Sequence, residues 1–175
     1  MKKKIIITSN SCWNIFNFRK WLIKELLKNN YEIIVVAPYD ECADIIKNLG
    51  CSYFPIVIDR KGINPFQNIK IYFQYLKIFK LINPQIILTF TIKPNIFSSI
   101  AANYLKIPII NNITGLGSTF INKGVIYQIT KFLYKISIKY SSKVFFQNYD
   151  DLKLFVNLKL VDKYRAERIP GSGIN

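Results

Sequence analysis

Two glycines spaced Gly-x-Gly follow a short apolar run and two asparagines in the stretch from Pro108 to Ser118. Thr114 directly precedes the first of these glycines, Gly115. Glycine permits positive φ and close contact between backbone and ligand, and free N–H groups ahead of a helix suit a phosphate or a polar sugar. A Gly-x-Gly loop after a strand is more often an ordinary tight turn, so its interpretation depends on how the other strands end.

The other predicted strands also end in polar side chains, namely Ser9-Asn10-Ser11, Asp40, Arg60-Lys61, Lys93 to Asn95, and Gln147-Asn148. In open parallel sheets, ligands bind outside the carboxyl ends of the strands, near the point where the strand order reverses. Amides and hydroxyls suit the hydroxyl groups of a sugar, and the three cations suit a phosphate or diphosphate. Each residue alone is ordinary loop composition, but the set predicts a ligand that combines a polyol with a phosphate.

Apolar runs predict the elements that would position these residues. Strands are predicted over about 4–9, 32–37, 52–58, 85–89 and 143–147, with another before the glycine loop and a strand end near Arg168. Helices are predicted over about 14–29, 41–49, 66–82, 95–105 and 123–140, and a last one ends near 158. Six or seven strands without polar alternation are buried on both faces, which predicts an α/β fold: a Rossmann-like, doubly wound, mostly parallel sheet with helices on both faces.

The composition limits the classes of function. The chain has 175 residues, half of them hydrophobic, a net charge of +15 and no histidine. It is long enough for one domain with a substantial core, and its charge attracts anions. The lack of histidine excludes a zinc site and a His-based catalytic triad. Cys12, Cys42 and Cys51 show no Cys-x-x-Cys spacing, which predicts reduced, mostly structural thiols in a cytosolic setting.

Several functional motifs are missing. Thr8-Ser9-Asn10-Ser11 follows the first strand in place of Gly-x-Gly-x-x-Gly, and neither a P-loop nor a nucleic-acid recognition module occurs. Only Asp40, Asp59, Asp150 and Asp151 could serve as a general base, which argues against a two-carboxylate scheme, and Asp151 is expected to be a helix N-terminal charge. The N-terminal apolar segment is too short for a signal peptide and no window suits a membrane span, so a soluble or peripheral protein is expected.

Lysines recur at four-residue spacing on two predicted helices. They are Lys20, Lys24 and Lys28 on the first helix, and Lys131, Lys135 and Lys139 on the helix over 123–140. Positions four apart drift by only about 40° per step, so each series forms a basic band. With aromatic residues nearby, the bands fit adsorption to an anionic membrane surface. The alternative is a solvated lysine face opposite an aromatic face that packs in the core.

Five motifs occur in order along the chain: Thr8 to Arg19, Asp59 to Pro65, Thr89 to Asn95, Asn112 to Gly117 and Phe145 to Asp151. Together they resemble the N-terminal domain of family 4 glycosyltransferases, and the resemblance covers essentially the whole chain. The closest similarity is to bacterial enzymes that extend undecaprenyl-diphosphate-linked oligosaccharides for surface polysaccharide or protein glycosylation.

The resemblance implies a GT-B fold, in which two Rossmann-like domains face each other across a cleft. In that family the N-terminal domain holds the acceptor and sits on the membrane, and the C-terminal domain binds the nucleotide-sugar donor. Residues 1–168 would form the acceptor domain, and residues 169–175 would begin the crossing to a donor domain that this sequence is expected to lack.

By the same resemblance, the acceptor side of the cleft would be lined by Asn10, Asn17, Arg19, Arg60, Lys93, Thr114 and Gly115. The lysines expected to face the membrane are Lys20, Lys24, Lys131, Lys135 and Lys139. Many family members carry a histidine near the reacting sugar, and here Lys93 or Thr91 would occupy that region. No metal and no cofactor is expected, the nucleotide-sugar being a substrate, and no catalytic residue is assigned.

The leading hypothesis is the acceptor-binding half of a retaining, metal-independent glycosyltransferase at the cytoplasmic face of the membrane. Alone it would be inactive, because nothing stabilises the diphosphate leaving group. Its partners would be a lipid-linked saccharide acceptor, an anionic membrane surface, and a donor domain or separate donor subunit, but not nucleic acid. Two alternatives stay open: a non-catalytic membrane-docking subunit of a split glycosyltransferase, and a Rossmann-type nucleotide- or phosphate-binding module that depends on Gly115 and Gly117.

Overall fold

The computed structural model describes residues 2–60, 62, 64–116, 120 and 124–171 of the chain. The strands in these residues are β1 Lys4–Thr8, β2 Glu32–Ala37, β3 Ser52–Pro55, β4 Ile86–Phe90, β5 Ile109–Ile113, β6 Lys143–Phe146 and β7 Ala166–Arg168. The helices are α1 Cys12–Lys28, α2 Cys42–Asn48, α3 Pro65–Ile82, α4 Ile92–Leu105, α5 Val125–Ser137 and α6 Tyr149–Asn157.

The seven strands form one parallel sheet in the order β3-β2-β1-β4-β5-β6-β7. β1 pairs in parallel with β2 on one side and with β4 on the other. The chain therefore winds outward from β1 in one direction, then returns to β4 and winds outward in the other. This arrangement confirms the predicted doubly wound fold, and it places the reversal of strand order between β1 and β4.

Helices cover both faces of the sheet, as predicted. Successive residues of β1 divide between two cores, because side chains alternate across a strand. Ile5 and Ile7 pack in a cluster with residues of α1 and α2. Ile6 packs in a second cluster with residues of α3, α4, α5 and α6. The sheet therefore carries two helices on one face and four on the other within the described chain.

The third strand is shorter than predicted, because it ends at Pro55 and not near residue 58. The backbone beyond it pairs with a side chain: Val57 N–H donates to Gln74 Oε1 at 2.9 Å, and Gln74 Nε2 donates to the Val57 carbonyl at 3.3 Å. These bonds hold Val57 against α3, whereas the Ile56 N–H still donates to the Ala37 carbonyl of β2 at 3.3 Å.

The boundaries of α1, α4 and α5 also differ from those predicted from the sequence. α1 starts at Cys12, two residues earlier than predicted, because Ser11 Oγ accepts a hydrogen bond from the Asn14 N–H at 3.1 Å. α4 starts at Ile92, three residues earlier, with Pro94 in its first turn, where proline is tolerated. α5 ends at Ser137, so Lys139 lies beyond it, and Lys123 lies outside the described residues. α5 also starts two residues later than predicted, at Val125, and the remaining boundaries agree within one residue.

The two asparagines before the glycine loop were interpreted as a polar strand end, but Asn111 is fully buried. Its Nδ2 donates to Asn95 Oδ1 at 3.1 Å and to Ser99 Oγ at 2.8 Å, and its Oδ1 accepts from Ser141 Oγ at 2.6 Å. Asn95 Nδ2 donates in turn to the Asn112 carbonyl at 3.0 Å. This network joins β5 to the first turns of α4, so Asn111 is a structural residue.

The three cysteines are buried and form no disulfide. Burial raises the pKa of the Cys12 and Cys51 thiols to about 11, which keeps them protonated at neutral pH. The structure therefore agrees with the prediction of reduced, structural thiols.

Replacing Asn111 with alanine should lower the free energy of unfolding by about 3 kcal/mol, because several buried polar groups would lose their partner. Urea unfolding followed by circular dichroism measures this change. Asn17→Ala is the matched control, because its exposed amide bonds only the Trp13 carbonyl one turn earlier, and it should stay within about 0.5 kcal/mol of the parent. Equal stability of the two variants would contradict the role assigned to the network.

Candidate functional site

A pocket of about 240 Å³ lies at the carboxyl edge of the sheet, beside the point where the strand order reverses. Its lining residues are Asn10, Ile58, Arg60, Thr91, Ile92, Lys93, Thr114 and Gly115. They come from the segments that follow β1, β3, β4 and β5. Five of the seven residues predicted for an acceptor site are therefore brought together here, and this set is called the acceptor pocket below after that prediction, which stays a prediction.

Backbone and side-chain hydrogen bonds hold the loops of the acceptor pocket together. The Asn10 N–H donates to Thr91 Oγ1 at 3.2 Å, which ties the loop after β1 to the start of α4. Arg60 Nε donates to the Asn10 carbonyl at 3.1 Å, which ties the segment after β3 to the same loop. Three separate chain segments therefore share one hydrogen-bonded frame.

Thr91 has a backbone conformation that is rare for a residue with a side chain, with φ 67° and ψ 159°. This region is occupied almost only by glycine and costs on the order of 1–3 kcal/mol. The Thr91 hydroxyl compensates in part by donating to the Phe90 carbonyl at 2.5 Å, and the Asn95 N–H donates to the Thr91 carbonyl at 2.9 Å. Such strain concentrates at functional sites, and here it lies in the wall of the acceptor pocket.

Lys93 fixes the loop that follows β3. Its ammonium donates to the Asp59 carbonyl at 2.5 Å and to the Gly62 carbonyl at 2.6 Å. The Gly62 N–H donates to Asp59 Oδ1 at 2.9 Å, and a Cβ atom at Gly62 would lie 2.1 Å from Asp59 Oδ2. Burial lowers the pKa of Lys93, and the nearby Asp59 carboxylate opposes that shift. Lys93 therefore closes the loop while its side chain lines the pocket.

Gly115 supplies the open side of the acceptor pocket. Its φ is +142°, a value that favours glycine, and within the described residues no atom lies within 4 Å of the position that a Cβ atom would take. None of those residues therefore packs against this side of Gly115, next to Thr114, where the glycine spacing predicts contact with a ligand. Gly117, the second glycine of the spacing, lies outside the described residues.

Arg19 and Asn17 do not line the acceptor pocket, although they were predicted with it. The Arg19 guanidinium is buried, stacks 4.3 Å above the Phe90 ring and donates to the Phe18 carbonyl at 2.8 Å. Burial lowers its pKa to about 10. It borders a separate, largely apolar pocket of about 400 Å³ that also contacts Asn112 and Pro170. Asn17 is exposed on α1, so an acceptor role for either residue stays a prediction.

Two of the acidic candidates for a general base, Asp40 and Asp151, lie at helix N-termini. Asp40 Oδ2 accepts from the Trp13 N–H at 2.9 Å and Oδ1 accepts from the Cys42 N–H at 3.0 Å, so one carboxylate serves the first turns of α1 and α2. Asp151 lies in the first turn of α6, where Asn148 Nδ2 donates to its carboxylate at 2.9 Å, in agreement with the predicted N-terminal charge. The sequence did not predict that Ile58 and Ile92 line the pocket.

The two lysine series lie on opposite sides of the sheet. Lys20 and Lys24 belong to α1, where their ammonium groups lie 5.1 Å from the centre of the Phe16 ring and 4.8 Å from that of Trp21. Lys131 and Lys135 belong to α5, which packs on the other face. Lys139 follows α5, with its ammonium 5.1 Å from the centre of the Tyr140 ring. The five lysines therefore do not form one basic face, and their membrane contact stays a prediction.

Within the described residues, no helix is both long and apolar enough to cross a membrane. In the same part of the chain, no group of three or more His, Cys, Asp or Glu side chains is arranged to hold a metal ion.

Comparison with known proteins gives a consistent family match. Residues 4–148 match the family model described as "Glycosyl transferase 4-like". An N,N'-diacetylbacillosaminyl-diphospho-undecaprenol alpha-1,3-N-acetylgalactosaminyltransferase from Campylobacter jejuni is 31% identical over 162 residues, which are 90% of this chain and 43% of that protein. The chain therefore spans less than half the length of this relative.

Solved structures with the same fold include a glycosyltransferase from Rickettsia africae, with a TM-score of 0.71, 18% identity, and coverage of 97% of this chain and 43% of that one. A UDP-N-acetylglucosamine 2-epimerase from Rickettsia bellii has a TM-score of 0.70 and 12% identity, over 98% of this chain and 46% of that one. At these identities the likeness shows the fold alone, which is the Rossmann-like N-terminal half of a GT-B fold.

Lys93→Met should open the loop after β3, because it keeps the apolar stem but removes the ammonium that donates to Asp59 and Gly62. Without these hydrogen bonds from a charged donor, the loop should open more often. The rate of tryptic cleavage after Arg60 should therefore rise by about tenfold. Limited proteolysis with mass spectrometry measures the rate. Lys77→Met, at an exposed lysine of α3, is the control. An unchanged cleavage rate for Lys93→Met would contradict the conclusion that Lys93 holds the loop after β3 closed.

Proposed function

Because this chain belongs to the glycosyl transferase 4-like family, we propose that it is the acceptor-binding half of a retaining glycosyltransferase. The enzyme transfers a sugar from a nucleotide-sugar to a saccharide carried on undecaprenyl diphosphate, in the synthesis of a surface polysaccharide or glycan. The observation that carries the proposal is the acceptor pocket, where Arg60 and Lys93 meet Asn10, Thr114 and the open backbone of Gly115.

The chemistry of the acceptor pocket suits a sugar next to a diphosphate. Guanidinium and ammonium groups bind phosphate oxygens by charge-assisted hydrogen bonds. The Asn10 amide and the Thr114 hydroxyl can each both donate and accept, which matches sugar hydroxyls. In the transfer, an acceptor hydroxyl oxygen forms a bond to the anomeric carbon, the bond to the nucleotide diphosphate breaks, and the hydroxyl proton leaves with that diphosphate. The acceptor pocket orients the hydroxyl for this step.

The Campylobacter jejuni relative supports the acceptor class, because its name describes transfer to a sugar on diphospho-undecaprenol. A lipid-linked acceptor would bring the chain to the inner face of the cytoplasmic membrane as a peripheral protein. The donor nucleotide-sugar is a substrate of the complete enzyme, which requires no metal or cofactor in this proposal.

The donor would be bound by a second Rossmann-like domain, either in the same polypeptide or in a separate subunit. Residues 1–168 are the acceptor domain in this proposal, and residues 169–175 begin the crossing. An apolar pocket supports the docking of a further segment near the crossing, since Ile169 and Pro170 line it together with Phe18, Leu22 and Phe145. The same observation favours the second candidate function, a non-catalytic docking subunit of a split glycosyltransferase.

Isothermal titration calorimetry with a short-prenyl, diphosphate-linked disaccharide tests the acceptor role. Arg60→Ala should weaken binding by about tenfold, which corresponds to about 1.4 kcal/mol, because a cation that faces the diphosphate is removed. Lys80→Ala is the matched control, because Lys80 is an exposed cation in the last turn of α3, and it should bind as the parent does.

Two binding results would contradict the proposal. Equal affinity of Arg60→Ala and the parent would show that Arg60 in the acceptor pocket does not bind the diphosphate. Tight nucleotide binding that is lost in Gly115→Val would favour a nucleotide-binding module.

The 175-residue chain alone, mixed with acceptor and nucleotide-sugar, should form no product, because in this proposal the groups that stabilise the leaving nucleotide diphosphate belong to the second domain. Robust turnover would contradict the assignment as an acceptor half, and product formed only with a separate donor subunit would favour the split enzyme.

A further inference from the structure

A second concave surface lies at the edge of the sheet opposite to the acceptor pocket. It is a groove of about 860 Å³, and it is called the basic groove below. One wall comes from the stretch between Phe132 and Tyr140, and the other from the stretch between Val156 and Arg165. The residues that follow α5 lead into β6 and those that follow α6 lead into β7, so the groove lies at the amino edge of the parallel sheet. A molecule bound there would leave the acceptor pocket free.

The basic groove is lined by five cations and one carboxylate. The cations are Lys135, Lys139, Lys159, Lys163 and Arg165, and the carboxylate is that of Asp162. Asp162 Oδ1 already accepts a hydrogen bond from the Tyr164 N–H at 2.8 Å. In the described part of the chain, no carboxylate forms an ion pair with any of the four lysines. Because like charges gathered in a concavity focus the field, the groove attracts an anionic partner.

Exposed aromatic rings lie beside these cations. Phe132, Tyr140 and Tyr164 all line the groove and are largely exposed. The Lys139 ammonium lies 5.1 Å from the centre of the Tyr140 ring, and the Lys163 ammonium lies 5.0 Å from that of Tyr164. Cations near the C-terminus of a helix stabilise that helix, but this role does not explain three exposed rings. The combination fits a ligand that carries both carboxylates and apolar groups.

Hydrogen bonds hold the two walls of the basic groove together. Arg165 Nη1 donates to the Lys139 carbonyl at 2.6 Å and to the Ser141 carbonyl at 3.2 Å, which ties the segment before β7 to the residues that follow α5. The Val144 N–H donates to the Arg165 carbonyl at 2.9 Å. The groove is therefore preformed, which lowers the entropic cost of binding a partner.

We propose that the basic groove docks an acidic, amphipathic helix of a partner protein. Carboxylates on one face of such a helix would pair with the lysines, and its apolar face would pack on Phe132, Ile136 and Tyr140, which recur at four-residue spacing. Two turns of a helix about 10 Å wide fill roughly 850 Å³, which is comparable to the volume of the groove. Phenylalanine, tyrosine and arginine are also enriched at protein interfaces.

A helix suits the shape of this site better than a bilayer does. A helix is convex and fits between two walls, whereas the surface of a bilayer is flat and would contact only the outer ends of the lysines. The inference goes beyond the proposed function and does not depend on it, because the groove and the acceptor pocket lie at opposite edges of the sheet.

Fluorescence anisotropy with a labelled synthetic peptide tests the charged part of the contact. The probe is an amphipathic helix of about 15 residues, with leucine on one face and glutamate on the other, and it should bind at least tenfold more tightly than a scrambled peptide of the same composition. The double variant Lys139→Glu/Lys163→Glu should weaken binding of the probe by at least tenfold. Lys77→Glu/Lys80→Glu, at exposed lysines of α3, changes the net charge equally and should bind within about threefold of the parent.

A second pair of variants tests the apolar part at constant net charge. Phe132→Ala/Tyr164→Ala should weaken binding of the probe by about tenfold, because aromatic anchors carry much of the affinity of an interface. Phe66→Ala is the control: Phe66 is 77% exposed and Phe132 is 62% exposed, but Phe66 lies on α3, away from the groove. It should bind as the parent does, and circular dichroism verifies that all variants are folded.

Four results would overturn the inference. Equal affinity for the probe and the scrambled peptide would exclude a helical ligand, and an equal loss in Lys77→Glu/Lys80→Glu would reduce the contact to net charge. Unchanged binding of Phe132→Ala/Tyr164→Ala would exclude the aromatic rings. Binding of phosphatidylglycerol vesicles through the same rings, without binding of the probe, would make the groove a lipid contact.

Discussion

The hydrogen-bonded amides of Asn95 and Asn111 are the interaction on which the rest of the site depends. They lie in a fully buried position between β5 and α4, where an unpaired amide would be costly. Because their partners come from different elements, the pair can be satisfied only when α4 starts at one place relative to β5. That placement sets the distance between Thr91 and Lys93 on one side of the acceptor pocket and Thr114 and Gly115 on the other.

The parallel sheet makes this local constraint useful. Since the strand order reverses between β1 and β4, the segments that follow these two strands meet the segments that follow β3 and β5 in one pocket. The strained backbone of Thr91 and the hydrogen bond from the Lys93 ammonium to the Asp59 carbonyl both lie in these segments.

Most of the fold could be predicted from the sequence, because the strands are uninterrupted apolar runs and the intervening segments show helical spacing. Arg60, Lys93 and Gly115 line one pocket, and sequence could place them near one another because each follows a strand of a parallel sheet. Asn111 was misinterpreted, because an amide at a strand end looks the same whether it faces a ligand or a buried network. The end of β3 was wrong for a related reason, since the bonds between Val57 and Gln74 are long-range contacts.

Residues on helices were harder to predict than residues in strand-end loops. Arg19 has the same chemistry as Arg60, but its position on α1 directs it over Phe90 and into a separate pocket. Lys20, Lys24, Lys131 and Lys135 lie on helices whereas Lys139 lies beyond α5, and spacing along a helix does not reveal which face of the sheet that helix covers. The strong positive charge was visible in the composition, whereas its coincidence with exposed aromatic side chains in the basic groove required the structure.

The central claim is that the pocket at the carboxyl edge binds the diphosphate-linked acceptor. The most direct measurement is an amide ¹H–¹⁵N NMR titration of the 20.5 kDa chain with a short-prenyl, diphosphate-linked disaccharide. The account predicts saturable shifts of the Asn10, Thr91, Lys93, Thr114 and Gly115 signals, and little response to a nucleotide-sugar. Shifts confined to α1 around Asn17 and Arg19, or a saturable response of the pocket to the nucleotide-sugar alone, would contradict it.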